Sequence, residues 1–152
     1  MGCNLHPFHR RLLQEVGNGG FEPSDGLIGI PGGSLDVDGR SIIELRKTLF
    51  PAFYHRTTFR VIPICDWGDG IWSCIESDTG RVLSMSEFGL KDMGADFQRW
   101  LEEWVSGANL WQRIVVLEET QMQKPRTKEL ISVQAVKGMR GVPYVPMVQS
   151  EK

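Results

Sequence analysis

The sequence predicts an α+β fold, in which a small antiparallel β-sheet has helices packed mainly on one side, in a single domain. Three segments, 61–67, 71–77 and 81–86, are rich in β-branched, aromatic and small apolar residues, and short turns containing Gly and Asp separate them. The following segment carries apolar residues at helical spacing: Phe97, Trp100, Leu101, Trp104 and Val105. This spacing predicts an amphipathic helix directly after consecutive hairpins.

A first helix is predicted near the start of the chain. Pro7 suits a first helical position, and apolar residues follow at four-residue steps: Phe8, Leu12 and Val16. The glycine-rich segment 17–20 is expected to end this helix. His6 and His9 are interpreted as surface histidines, because no nearby cysteine or acid completes a zinc site with them.

A short strand at 26–30 and a second helix at 42–49 are predicted before the sheet. Ser41 and Glu44 have the spacing of a capping box, in which the glutamate reaches back to the serine amide. Pro51 is expected to end this helix, because proline lacks a backbone donor and clashes with the preceding turn.

The last part of the chain is predicted to differ from the rest. Leu110, Ile114 and Leu117 indicate one more short helix. From Thr120 the sequence becomes basic, and glycine and proline interrupt it repeatedly. We therefore expect residues 120–152 to form a loosely packed C-terminal tail that adds little stability, with one weak strand at 129–136.

Composition and charge limit the classes of partner. The chain has 152 residues, 41% of them hydrophobic, and a formal net charge of −2. These values are typical of a globular domain and argue against direct nucleic-acid binding, which usually needs a basic surface. Segment 66–103 holds nine acids and three bases, so it carries −6. A basic protein partner would be attracted to that segment.

No metal, cofactor or membrane segment is predicted. Asp36, Asp38 and Glu44 resemble a calcium loop, but Glu44 falls one position short of the bidentate ligand, so a turn followed by a helix cap is favoured. The cysteines are odd in number and have no metal-type spacing: Cys3, Cys65 and Cys74. Without an apolar run of about 20 residues or a leader pattern, this composition predicts a cytoplasmic protein with reduced thiols.

The candidate partner-binding residues lie in two hairpin turns: Asp66, Trp67, Asp69 and Asp78. Trp67 stands in a polar loop, where it either contacts a partner or folds back onto the core. Asp66, Asp69 and Glu76 could instead supply the carboxylates of a hydrolase. Aspartates beside glycines are more often turn formers, so no catalytic residue is assigned.

Three segments resemble the SUKH superfamily. Segment 62–75 followed by 79–82 is similar to the central hairpin of that group, 97–104 to its late helix, and 11–20 to its early helix with an Asn-Gly-Gly turn. The similarity covers roughly residues 5–112 and is a pattern of apolar and glycine positions.

The resemblance implies a SUKH-like domain at 5–119 and a non-catalytic function. The superfamily contains bacterial immunity proteins and fungal cell-wall assembly regulators. It implies that this chain is an immunity protein that neutralises a bacterial toxin domain, for example a nuclease. The alternatives are a cytoplasmic regulatory or scaffold protein of the same fold, and the acidic-residue hydrolase. The superfamily has no universal set of binding residues, so none is transferred to this chain.

Overall fold

The structure is a computed structural model that describes residues 4–21, 26–53 and 61–144. Within these ranges the helices are α1 (Pro7–Glu15), α2 (Ile42–Phe53), α3 (Phe97–Val105) and α4 (Leu110–Ile114). The strands there are β1 (Val61–Asp66), β2 (Trp72–Glu76), β3 (Arg81–Ser86), β4 (Gly89–Asp96), β5 (Val115–Gln123), β6 (Leu130–Met139) and β7 (Val142–Pro143). Cys3 lies outside the described residues.

Five strands form one antiparallel sheet in the order β1-β2-β3-β4-β7, and β5 and β6 form a separate hairpin. The predicted α+β class is therefore confirmed, as are the three central strands. Every residue of β1 and β2 is buried, so neither face of the centre is solvated. Apolar residues pair across both faces, with Ile62 opposite Ile75 and Cys74 opposite Leu83. This burial explains why these strands lack a clean alternation of polar and apolar residues.

The edge of the sheet beyond β3 differs from the sequence prediction. β4 pairs with β3 and was not predicted, and β7 pairs with β4 through Lys91–Pro143 and Asp92–Val142. The C-terminal region that the sequence predicts to be a tail thus contributes a strand to the main sheet. The expected boundary at residue 119 falls inside β5.

The region after α3 also contains more strand than predicted. The predicted helix of Leu110, Ile114 and Leu117 ends at Ile114, and Leu117 lies in β5 instead. The weak strand expected at 129–136 is present as the longer β6. The paired strands β5 and β6 satisfy each other's backbone groups, which the residue types alone did not indicate.

Helix α3 covers the sheet as its sequence predicts. The Asp96 side chain accepts a hydrogen bond from the Arg99 amide at 2.8 Å and caps the helix start. The residues that this helix buries are Phe97, Trp100 and Leu101. Trp104 is only half-buried, and Val105 is 75% exposed. The buried face of α3 therefore contains fewer residues than the apolar periodicity predicts.

Helix α1 packs against α3 through its own aromatic side chains. The Phe8 and His9 rings meet Phe97 edge-on, with centroid separations of 5.6 and 5.4 Å. His9 is 2% exposed, so its prediction as a surface histidine is wrong. The helix turns Phe8 and His9 toward α3 and leaves Val16 exposed. Phe8 and Leu12 of the predicted stripe pack against the core, whereas Val16 does not and His9 is buried in addition.

The segment between α1 and α2 is held by side-chain hydrogen bonds to the backbone. The Asn18 side chain accepts a hydrogen bond from the Ile30 amide at 2.9 Å. The strand predicted at 26–30 is not a full strand, because it is represented by an isolated β-bridge between Leu27 and Cys65. The predicted capping box is confirmed, because Glu44 accepts from the Ser41 amide at 2.7 Å. The prediction that Pro51 ends this helix is wrong, because α2 continues to Phe53. A proline removes one backbone hydrogen bond from a helix, but a helix can continue past it.

Candidate functional site

Two connections project from the same end of the main sheet. They are the β1–β2 loop, residues 67–71, and the β3–β4 turn, residues 87–88. Trp72 pairs with Met85 and Met85 pairs with Leu90, which places both connections at one end. Strands lie about 5 Å apart, so the two connections are about 10 Å apart. We call this surface the loop end.

The β1–β2 loop has a defined backbone. The Asp66 carboxylate accepts from the Gly68 amide at 2.8 Å, and the Trp67 amide donates to the Ile71 carbonyl at 2.9 Å. Asp69 has a left-handed φ of 51°, which aspartate tolerates in turns. Asp69 is exposed, whereas Asp66 ends β1 and is buried. Asp66 therefore shapes the loop from within, and its prediction as a turn residue available to a partner is not supported.

Trp67 is half-buried and belongs to an aromatic cluster with two other tryptophans. Its indole N–H donates to the Ser73 hydroxyl at 2.8 Å. Its ring centroid lies 5.9 Å from that of Trp111 and 6.5 Å from that of Trp100. The side chain thus joins the main core to the smaller apolar cluster around Ile71. Of the two alternatives left open by the sequence, the packing role is present, and part of the ring remains accessible.

Asp78 does not lie at the loop end. It is exposed in the β2–β3 turn, which stands at the opposite end of β2. At about 3.3 Å per residue, the five residues of β2 separate Asp78 from the loop end by roughly 17 Å. The predicted binding residues therefore do not form one patch.

Two exposed residues of the loop end were not predicted. Glu87 and Phe88 occupy the β3–β4 turn, and Phe88 is 43% exposed. The Phe88 amide donates to the Ser86 hydroxyl at 3.0 Å, which fixes the turn. In the sequence, the one indication of this exposed site was a single aromatic residue between Glu87 and Gly89, which belongs to no periodic pattern. The loop end thus presents Asp69, Glu87 and Phe88 beside the partly accessible Trp67.

Other acids of the segment 66–103 are engaged within the protein. Asp92 binds Arg81 at 2.8 Å, and Glu103 binds Arg113 at 2.6 Å. Asp96 caps α3. Arg81 is already counted in the charge of −6, whereas Arg113 lies outside the segment and compensates one of its acids.

Glu76 is the centre of a polar network at the far end of β2. Thr79 and Tyr144 each donate a hydroxyl hydrogen bond to its carboxylate, and Arg81 donates from Nε at 3.2 Å. Burial raises the pKa of Glu76, but these hydrogen bonds outweigh it, so the net pKa is lowered. The structure places Glu76 at the opposite end of β2 from Asp69. Of the three carboxylates in the hydrolase hypothesis, Glu76 is therefore separated from the other two, Asp66 and Asp69, which lie at the same loop.

The acidic loop at Asp36 also forms its hydrogen bonds within the protein. Asp36 accepts from the Arg40 amide at 2.6 Å and from Arg40 Nε at 2.9 Å, in the loop that resembles a calcium site. No group of three or more potential metal ligands occurs in the described part of the chain. Cys65 and Cys74 are buried thiols, and burial raises the pKa of Cys74.

Comparisons of this chain with protein-family models, with curated proteins and with solved structures gave no match. Among the helices of the described ranges, none is both long enough and apolar enough to cross a membrane. A functional proposal for this chain therefore rests on the geometry of the loop end and on the sequence pattern.

Proposed function

We propose that this protein is a non-catalytic protein-binding module that binds its partner at the loop end of the sheet. The observation that carries this proposal is the exposed Phe88, which follows the exposed Glu87 and lies at the same end of the sheet as the exposed Asp69. Aromatic residues dominate binding hot spots, and surrounding charges accelerate association with a partner of opposite sign. The surface therefore suits a basic protein with an apolar pocket.

The sequence pattern supports one class of partner. The resemblance of the hairpin region to the SUKH superfamily supports an immunity protein, with a bacterial toxin domain as the partner. A nuclease toxin carries a basic surface for its nucleic acid, which would suit the acids of the loop end. A regulatory partner inside the same cell is the alternative that the experiment distinguishes.

The test is co-expression with the products of neighbouring genes, followed by binding kinetics across salt concentration. We expect Asp69→Lys and Glu87→Lys to slow association at low salt, because both reverse a charge on the proposed surface. Phe88→Ala should instead raise the dissociation rate and cost about 2 kcal/mol, with little salt dependence.

The matched control is Asp78→Lys, which reverses an exposed charge at the other end of the sheet. It should change association much less than Asp69→Lys. Equal effects at the two positions would show a general charge effect and contradict the proposed surface. Unchanged binding in all the loop-end variants would place the interface elsewhere. Partners that are all endogenous regulators would reject the immunity function and leave the binding module.

A further inference from the structure

Strands β5 and β6 and their connection, residues 115–139, form an arm that extends from the body. Nine register pairs run from Val115–Met139 to Gln123–Leu130. At about 3.3 Å per residue the nine residues of β5 span roughly 30 Å. Among the described residues, only those at the base of the arm pack on the body, through Val115, Leu117, Val136 and Met139. Beyond Leu117, every residue of β5 is exposed.

The two faces of the arm differ in polarity. Residues that pair directly share a face, so Thr120–Val133 and Met122–Ile131 lie on one face together with Ala135. Met122 is 52% exposed there. The opposite face is polar at its middle, where it carries Glu119, Gln121, Ser132 and Gln134. An isolated two-stranded hairpin is only marginally stable, and an exposed apolar face marks an interaction site. We therefore expect another surface to cover the apolar face of the arm.

Charged residues stand at both ends of the apolar face and have opposite signs along β5. Glu118 lies toward the base, with Lys137 at 3.8 Å. Lys124 lies toward the tip, with Glu129 at 2.9 Å. From the body to the tip, β5 and its extension to Lys124 carry an acidic residue, then apolar residues, then a basic residue. From the body to the tip, β6 and its extension to Glu129 carry a basic residue, then apolar residues, then an acidic residue.

We propose that the arms of two copies of this chain stack antiparallel, apolar face on apolar face, about a two-fold axis. An axis centred between Thr120 and Met122 places Glu118 of one copy over Lys124 of the other. The same operation places Glu129 over Ala135, so that it lies beside Lys137, which follows on the same face. Every charge then meets an opposite charge, and the interface is self-complementary as two-fold symmetry requires. A two-fold axis along the strands would instead stack β5 on β6, which pairs Glu118 with Lys137 and Lys124 with Glu129 of the other copy. The charge exchange described below distinguishes the two arrangements.

The size of the face sets the strength of the dimer. A two-stranded face is about 10 Å wide and its apolar part about 25 Å long, so each copy buries roughly 250 Å². Stable interfaces bury about 800 Å² per partner. The arm therefore gives a weak, concentration-dependent dimer. It uses residues separate from the loop end and leaves that surface accessible.

Sedimentation velocity of the full chain from micromolar to millimolar concentration tests the dimer. The wild-type chain should shift from monomer to dimer over this range. Val133→Asp, at the centre of the apolar face, should keep the chain monomeric. Leu130→Asp is the matched control, because Leu130 is 63% exposed on the opposite face of the same arm. It should leave dimerisation unchanged, and the melting temperature checks the folding of both variants.

Charge exchange tests the antiparallel register. Glu118→Lys and Lys124→Glu should each raise the dissociation constant about tenfold, because each places two like-charged pairs across the interface. The double variant should restore the wild-type value. A chain that stays monomeric at millimolar concentration would overturn the proposal. A dimer that Leu130→Asp disrupts as strongly as Val133→Asp would also overturn it, as would a double variant no better than the singles.

Discussion

Lowering the pH from 7 to 5 should destabilise the native state through one side chain, His9. The imidazole is buried against Phe97, and among the described residues its Nδ1 has no hydrogen-bond partner. Burial, with a smaller contribution from the nearby His6, lowers the pKa of His9 from 6.5 to about 4. The unfolded chain therefore binds a proton at a pH where the native protein does not.

The sign and size of the effect follow from this difference. The native pKa is depressed, so the stability is fully present above pH 6.5 and is lost as the pH falls toward 4. The full difference between the unfolded and native pKa values of His9 corresponds to about 3 kcal/mol in the free energy of unfolding. About 2 kcal/mol of this is lost between pH 7 and pH 5. The lowered pKa values of Glu44 and Glu76 place their titration below that interval.

Urea unfolding at pH 7 and pH 5 measures the loss directly. The variant His9→Leu keeps an apolar side chain of similar size, so its free energy of unfolding should change little over the same interval. His6→Gln is the control, and it should retain most of the loss because burial is the larger cause. Wild-type stability that is equal at the two pH values would refute the reasoning, as would an equal loss in His9→Leu.

Two further predictions concern the core and the C-terminal contact. Trp100→Ala should lower the free energy of unfolding by about 3–5 kcal/mol, whereas Val105→Ala on the exposed side of the same helix should change it by less than about 0.5. Comparable losses in urea unfolding would contradict the packing of α3. Tyr144→Phe removes the hydroxyl that donates a hydrogen bond to Glu76, and it should lower the free energy of unfolding by about 1–3 kcal/mol. An unchanged melting temperature would show that this hydrogen bond contributes nothing.

The central strands and α3 could be predicted because their residue types and periodicity agree. The strands are buried on both faces, so apolar residues run through them without interruption. In α3 the buried residues recur at the helical period. Local pattern and tertiary environment therefore gave the same answer for this part of the fold.

The edge strands could not be predicted because their pairing depends on distant neighbours. β4 contains two glycines, a lysine and two aspartates, and it is fixed by its hydrogen bonds to β3. The arm is polar on one face and mostly exposed, so neither strand has a strong signal alone. The burial of His9 has the same cause, because it depends on the placement of α3 against α1.

The candidate site was predicted only in part. The β1–β2 loop was identified from its glycines and aspartates, and Asp69 and Trp67 lie there. Asp78 was grouped with them because it is near in sequence, yet antiparallel topology puts it at the other end of β2. Phe88 was missed because a single aromatic residue in a turn has no period from which to infer exposure.

The hydrogen bond between Tyr144 and Glu76 joins residues that are 68 positions apart. When β2 and β3 emerge during synthesis, Thr79 and Arg81 are present, but the third donor for Glu76, Tyr144, has not yet been made, and the edge of β4 still lacks β7. The central hairpins can pair early, but this polar network can close only after residue 144 has been made. Contacts of such high sequence separation are costly to form and slow folding. A nascent chain stalled before residue 144 would therefore display an open sheet edge, which is a site for chaperone binding or misassociation.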